Sequence, residues 1–297
     1  MRIFFNRLPV AGPWGGGSKI LAAIVKECVF RGHEVTQNYD KKIDLIFCLD
    51  PRPDNISNYQ TLIDLRNRDN CKIIQRIGDL GTHGKPYLFD LLKITSGISD
   101  ALIFPSYWAK NYANFENKNI LVIPNAPLPD FIKNPKKVTK DTLKIVSHHW
   151  SNNELKGFEI YDQLDQFCQE SNKFSFTYIG RKPESSKFKN YIEPKDIQGL
   201  IEEIPKHDVY ITASKFEAGA NHVLEAMALG LPVLYHKDGG SIVEYCKDRG
   251  IMFNSFEDLV SILSCNDKMS NLIKFSPYDR TTDFLAKEYV DFFEKLT

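Results

Sequence analysis

The chain has 297 residues, 42% hydrophobic and 26% charged, and its 38 basic and 38 acidic side chains cancel to a formal net charge of zero. That is the composition of an ordinary soluble globular protein of one large or two medium domains. Balanced charge gives no reason to expect nucleic acid or an acidic membrane surface as a partner. No apolar run approaches the roughly 20 residues of a membrane span. The apolar part of the N-terminal MRIFFNRLPV is too short for a signal peptide. The six cysteines (Cys28, Cys48, Cys71, Cys168, Cys246, Cys265) form no Cys-x-x-Cys pair, and most fall in apolar segments. They read as reduced core residues of a cytoplasmic protein, and no metal site is expected.

In chain order, a strand is expected over residues 2–5 (RIFF), then a loop over 6–17 ending in Gly15-Gly16-Gly17. Ser18 can cap a helix to about Arg31, with Ile20, Leu21, Ile24, Val25, Cys28 and Val29 as its apolar face and Gly32 ending it. Strands follow from Val35 and over 45–49, then a helix over 57–68 and a strand over 72–77. After the glycine-rich loop 78–86 come a helix near 88–98, a strand over 101–104, a helix over 106–115 and a strand over 120–123. Such alternation predicts a parallel sheet wrapped by helices. The stretch 124–140, dense in proline and lysine and without period, reads as a linker. The pattern then restarts, with strands over 143–146 and 174–179 and helices over 157–170 and 196–204. Residues 256–264 and 281–296 read as further helices. The expected architecture is α/β, with two Rossmann-like domains over 1–135 and 136–280 whose parallel sheets face one another across a ligand-holding cleft. Residues 281–297 remain for a closing helix.

The stretch 207–252 carries the most chemistry. Residues 208–212 and 233–235 read as short buried parallel strands. Between them lie a loop containing Gly219 and a helix from about Asn221, with Val223, Leu224, Met227 and Ala228 apolar and Gly230 and Pro232 as stop signals. Glu217 therefore sits at the carboxyl end of a strand, where open α/β sheets bind ligands, and Glu225 about one turn into the helix. A helix N-terminus suits a phosphate. Gly219 removes a side chain from the approach, and the amides of Ala220 and Asn221 are expected as unpaired donors. Carboxylates next to a diphosphate make sense if they accept sugar hydroxyls instead. The residues thus suggest a nucleotide-sugar site, with amides on phosphate and carboxylates on ribose and hexose. A solvated Glu217 and a surface Glu225 fit the spacing as well. DPRPD at 50–54 has the wrong spacing for a metal-binding Asp-x-Asp, and GPWGGGS lacks the Gly-x-Gly-x-x-Gly order of a nicotinamide site.

The segment EAGANHVLEAMALGLPVLYHKDGG closely resembles the signature of the retaining glycosyltransferase family 4 enzymes, with its Glu-x7-Glu pair, small-residue run, EAMA-x-G-x-PV and Gly-Gly loop. Weaker pieces are collinear with it: GGGSK after strand one, ALIFPSYWAK, VIPNA, LKG at 155–157 and YIG at 178–180. The resemblance implies a GT-B fold whose N-terminal domain binds the acceptor and whose C-terminal domain binds the nucleotide sugar. The closing helix would pack back onto the first domain through Phe284, Tyr289, Phe292 and Phe293. It implies Glu225 on the ribose hydroxyls and Glu217 near the donor sugar and reacting centre. Gly219, Ala220 and Asn221 would line the sugar and phosphate, and Lys156 would neutralise the leaving diphosphate. Gly15, Gly16 and Gly17 match the N-terminal glycine loop near phosphate or acceptor.

The chain departs from that pattern in two places. The arginine expected shortly before the lysine is absent from SHHWSNNELKG, leaving His148, His149 and Trp150 there. His149 can donate a hydrogen bond, and Arg181 after the YIG element can supply the cation. The acceptor-side histidine of the family is also displaced, which makes Arg76, Asp79 and His83 the candidates for acceptor binding or proton handling. The resemblance implies a metal-independent enzyme without cofactor, moving a sugar from a nucleotide sugar to a glycan, lipid-linked or other hydroxyl acceptor. Peripheral membrane association fits such an acceptor, with 133–140 the only cationic hint. The rival readings are a nucleotide-sugar-binding protein without catalysis, motivated by the missing arginine, and a dinucleotide-dependent oxidoreductase.

Overall fold

A computed structural model describes residues 1–9, 16–53, 58–132, 142–265, 267–269 and 278–297. The chain divides into two compact units, residues 1–126 with 280–297, and residues 127–279. The first begins β1 (Arg2–Phe5), α1 (Gly16–Phe30), β2 (Glu34–Thr36), β3 (Leu45–Cys48), α2 (Tyr59–Asp69) and β4 (Lys72–Arg76). It continues α3 (Pro86–Ile98), β5 (Ala101–Phe104), α4 (Tyr107–Ala113) and β6 (Ile120–Val122). Its six strands are parallel in the order β2-β1-β3-β4-β5-β6. Every residue of β3 and β5 is buried, as expected of strands covered on both faces, which is why they read as unbroken apolar runs.

The second unit contains β7 (Leu143–His149), α5 (Phe158–Gln169), β8 (Phe174–Gly180), β9 (Asn190–Ile192), α6 (Ile197–Glu203) and β10 (Val209–Thr212). It ends with α7 (Asn221–Ala228), β11 (Val233–His236), α8 (Ser241–Cys246), β12 (Gly250–Phe253) and α9 (Phe256–Leu263). Its parallel order is β12-β11-β10-β7-β8-β9. Strand order therefore reverses between β7 and β10, and the crevice at that reversal is where such sheets bind ligands.

Local signals account for most boundaries. Asn58 caps α2 by accepting from the Thr61 amide at 3.0 Å, and Pro86 opens α3 with its φ preset for a helix. Helix α1 begins at Gly16, so Ser18 lies in its first turn and is not the cap. The strands β9 and β12 escaped the sequence reading. The first has three residues, and the second starts with a glycine, normally a strand breaker. A Cβ on Gly250 would lie 2.3 Å from the Val233 carbonyl oxygen, so close strand pairing requires glycine here. The units part at Ala126/Pro127, upstream of the expected 135/136, because Phe131 is fully buried in the second core with Val146, Ile179 and Tyr210. The lysine-rich 133–140 lies outside the described residues.

The final helix α10 (Thr282–Leu296) belongs to the first unit. Leu285, Ala286, Tyr289, Val290 and Phe293 join a core with Ile20, Ile24 and Cys28 of α1, Ile3 and Phe5 of β1, and Phe47 of β3. Phe284, expected in that contact, is exposed, and its ring lies 4.9 Å from the Arg280 guanidinium carbon. The face is set by the 3.6-residue period, which favours Leu285 over its aromatic neighbour. Phe293→Ala is therefore expected to lose about 3–5 kcal/mol of unfolding free energy in urea titrations, whereas Phe284→Ala should change it by no more than about 0.5 kcal/mol.

Candidate functional site

Two glycines bring the loops at the carboxyl edge of the second sheet into contact. Gly157 follows the 3-10 turn Glu154–Lys156 with φ +80°, and a Cβ there would lie 2.4 Å from the Ala213 carbonyl oxygen. Only glycine lets this corner press against the end of β10. The Lys215 amide donates to the Leu155 carbonyl at 2.8 Å, joining the loop after β7 to the loop after β10. Gly240, with φ +70°, performs the same service from the loop after β11, where a Cβ would lie 2.6 Å from the Glu217 carbonyl oxygen. Glu217 pairs there as an extra parallel bridge, its carbonyl accepting from the Ser241 amide at 2.8 Å. Phe216 beside it holds φ 55°, a left-handed conformation uncommon for a bulky residue and frequent at functional loops.

The consequence is an ion pair. Lys156 Nζ donates to Glu217 Oε1 at 2.5 Å, with side-chain exposures of 13% and 14%. Such a half-buried pair adds little net stability, because desolvation offsets the attraction. It does hold two opposite charges at the sheet edge beside the strand-order reversal.

Glu225 is not a surface residue. It is 3% exposed, and its Oε2 lies 3.2 Å from His148 Nε2 at the end of β7. His148 Nδ1 lies 3.1 Å from the Tyr210 hydroxyl, which also accepts from the His148 amide at 3.2 Å. His149 points elsewhere: its Nε2 lies 2.8 Å from the Tyr161 hydroxyl, inside the core. Its backbone carbonyl accepts from the Arg181 amide at 3.0 Å, so Arg181 stands beside the end of β7 with an exposed side chain. Gly180 makes that join close, since a Cβ on it would lie 2.1 Å from the His149 carbonyl oxygen.

The start of α7 differs from expectation. The Ala220 amide is not an unpaired donor, because it donates to Ser241 Oγ at 3.0 Å. Asn221 Oδ1 is buried and meets no donor among the described residues. Gly219 lies between Glu217 and the helix as the sequence suggested. His222, which the sequence reading passed over, places Nε2 3.0 Å from Thr212 Oγ1 and its ring 4.8 Å from that of His149. Burial is the largest influence on it and pushes the imidazole down to about 3, against an opposing pull from Glu217, so the ring is neutral.

The first-unit candidates have other surroundings. Arg76 is buried, donating from Nε to the Tyr289 hydroxyl at 3.1 Å and from Nη2 to Asn125 Oδ1 at 2.9 Å, so its guanidinium ties β4 to α10. Asp79 accepts from Lys85 Nζ and from the Gly81 amide, both at 2.8 Å. Burial works to raise its carboxyl, but these two donors outweigh it and hold the carboxyl below its usual range. His83 lies in the same loop, half-buried. Gly16 and Gly17 form the first turn of α1, where a Cβ on Gly17 would meet only open space, and Gly15 lies outside the described residues.

Solved structures share this architecture. Sucrose-phosphate synthase from Thermosynechococcus elongatus superposes with a TM-score of 0.69 at 13% identity, covering 99% of this chain and 98% of that one. The fold is GT-B. The lipopolysaccharide outer core galactosyltransferase WaaB gives 0.67 at 13% identity over 100% of both chains. A glycosyltransferase from Rickettsia africae gives 0.65 at 12%, covering 99% and 98%. No protein-family model matches the sequence, and no curated protein matches it.

Neutral His222 gives this GT-B chain a defined acid response. Its folded pKa lies below the unfolded value of 6.5, so the unfolded chain binds the extra proton first as pH falls. This group's share of stability is present above 6.5 and is lost on descent toward about 3, at about 1.4 kcal/mol per pH unit. His222→Gln is expected to remove that slope, so its unfolding free energy should gain on the wild type as pH drops. Parallel stability curves between about pH 4 and 6 would show that His222 is not held neutral.

Proposed function

We propose that the chain is a glycosyltransferase whose second unit binds a nucleotide-sugar donor at the carboxyl edge of its sheet. The observation that carries this reading is the Lys156–Glu217 pair at 2.5 Å, beside the buried Glu225 and the strand-order reversal. The three GT-B neighbours, all enzymes of glycosyl transfer by their names, support it. In the proposed complex Glu225 accepts the ribose hydroxyls, as the family 4 resemblance implies. Glu217 faces the donor sugar, and the Gly219–Asn221 segment lies along the sugar and phosphates. Lys156 leaves Glu217 for the diphosphate, whose charge grows as the glycosidic C–O bond breaks. Arg181, exposed beside the end of β7, supplies the second cation in place of the absent arginine.

The proposed chemistry is transfer with retention, by front-face attack on an oxocarbenium-like centre. The acceptor oxygen bonds to the anomeric carbon as the diphosphate departs, and the acceptor proton passes to a diphosphate oxygen. The protein's part is positioning and charge stabilisation, with no metal required. The acceptor is a glycan, lipid-linked or other hydroxyl compound bound by the first unit, where Asp79 and His83 remain the candidate contacts. A cytoplasmic site, peripheral to the membrane, suits a lipid-linked acceptor.

Hydrolysis and transfer assays across a panel of nucleotide sugars test this directly. The wild type should turn over one donor class, and Lys156→Ala and Glu217→Gln should each lower kcat on the order of 10²-fold. Tight donor binding without turnover by the wild type would contradict the enzyme reading and favour a binding protein.

A further inference from the structure

His148 lies in SHHWSNNELKG, the segment from which the expected arginine is absent, and its ring meets Glu225, 77 positions along the chain. The pair is almost wholly enclosed, with side-chain exposures of 2% for His148 and 4% for Glu225. A carboxylate in such a place loses its hydration and needs donors to remain charged and in one rotamer. The imidazole is itself pinned. Its backbone amide donates to the Tyr210 hydroxyl at 3.2 Å, and that hydroxyl lies 3.1 Å from Nδ1. Tyr210 is fully buried in β10, the strand beside β7 across the order reversal. With the proton on Nε2, His148 donates to Glu225, and Nδ1 accepts from Tyr210. The chain Tyr210–His148–Glu225 then runs from the middle of the sheet to its carboxyl edge, and the Tyr210 hydroxyl also lies 3.2 Å from the His148 carbonyl oxygen, which fixes both ends of that residue. Neither Tyr210 nor His148 needs to reach a ligand for this to act.

We infer that His148 is a positioning residue: held by Tyr210, it orients Glu225 and keeps it a hydrogen-bond acceptor for the two ribose hydroxyls of the donor nucleotide. This rests on the donor-site reading of Glu225 given above. Its signature is selective, because losing His148 weakens only the part of binding that passes through Glu225. Phosphate contacts, made by other groups, are untouched.

The test is calorimetric titration of the full chain with UDP, GDP and ADP and with their 2′,3′-dideoxy counterparts. The readout is the ratio of ribo to dideoxy affinity for whichever base binds. The wild type should prefer the ribo form. His148→Leu should reduce that ratio about tenfold with the dideoxy affinity unchanged. His148→Gln, which can still donate toward Glu225, should restore it. If His148→Leu does not fold, His148→Asn carries the same test, since asparagine stays polar but is too short to reach Glu225. An unchanged ratio in the folded Leu or Asn variant, or equal loss for ribo and dideoxy forms, would overturn the inference while leaving the donor site standing. A wild type with no preference for ribose hydroxyls on any of the three bases would instead overturn the donor-site reading itself, and this inference with it.

Discussion

The candidate site depends on backbone contacts that a side chain would forbid. Gly157 against Ala213 and Gly240 against Glu217 bring three loops, following β7, β10 and β11, within hydrogen-bonding distance of one another. Lys156 reaches Glu217 from loops that these backbone contacts hold together. A functional group held by backbone geometry has little positional freedom to lose on binding, which is the economy of a preorganised site. The strands β10 and β11 behind it, buried along their whole length, supply the rigidity.

Opposite charges at short range also neutralise one another at this edge. An ammonium and a carboxylate enclosed to this degree would each be costly alone, and together they are tolerable. A ligand bearing both a diphosphate and sugar hydroxyls offers each of them a replacement partner. The deeper layer is different in kind. His148, His149, Tyr161 and Tyr210 are buried and, with the half-buried His222, form a polar stratum bonded to Glu225, Thr212 and one another. This stratum lies beneath the edge that carries Lys156 and Glu217.

Much of this was legible in the sequence. Parallel strands buried on both faces announce themselves as short apolar runs, and the small-residue segment around Gly219 with its two glutamates drew attention to the candidate site. The unread features are those fixed by partners distant in sequence. Glu225 looks like an exposed helix position until His148 is placed beside it. Nothing in the sequence signals that Arg76 is buried and bonded to Tyr289, from the other end of the chain. The Ala220 amide looks unpaired until Ser241, from the next loop, accepts its proton in a hydrogen bond. Phe284 and Leu285 are equally plausible core residues by composition, and only the phase of α10 decides between them. His222 carried no spacing signal, since its neutrality arises from the surrounding rings and strands.

The proposed nucleotide-sugar site lies at the carboxyl edge of the second sheet, across the reversal between β7 and β10. Hydrogen–deuterium exchange with and without a saturating nucleotide sugar tests it most directly, because it reports where amides become protected. Protection is expected to concentrate in 150–157, 214–225 and 237–241, the loops that converge on Lys156 and Glu217. Saturated binding that leaves those segments unchanged and protects amides elsewhere would contradict it.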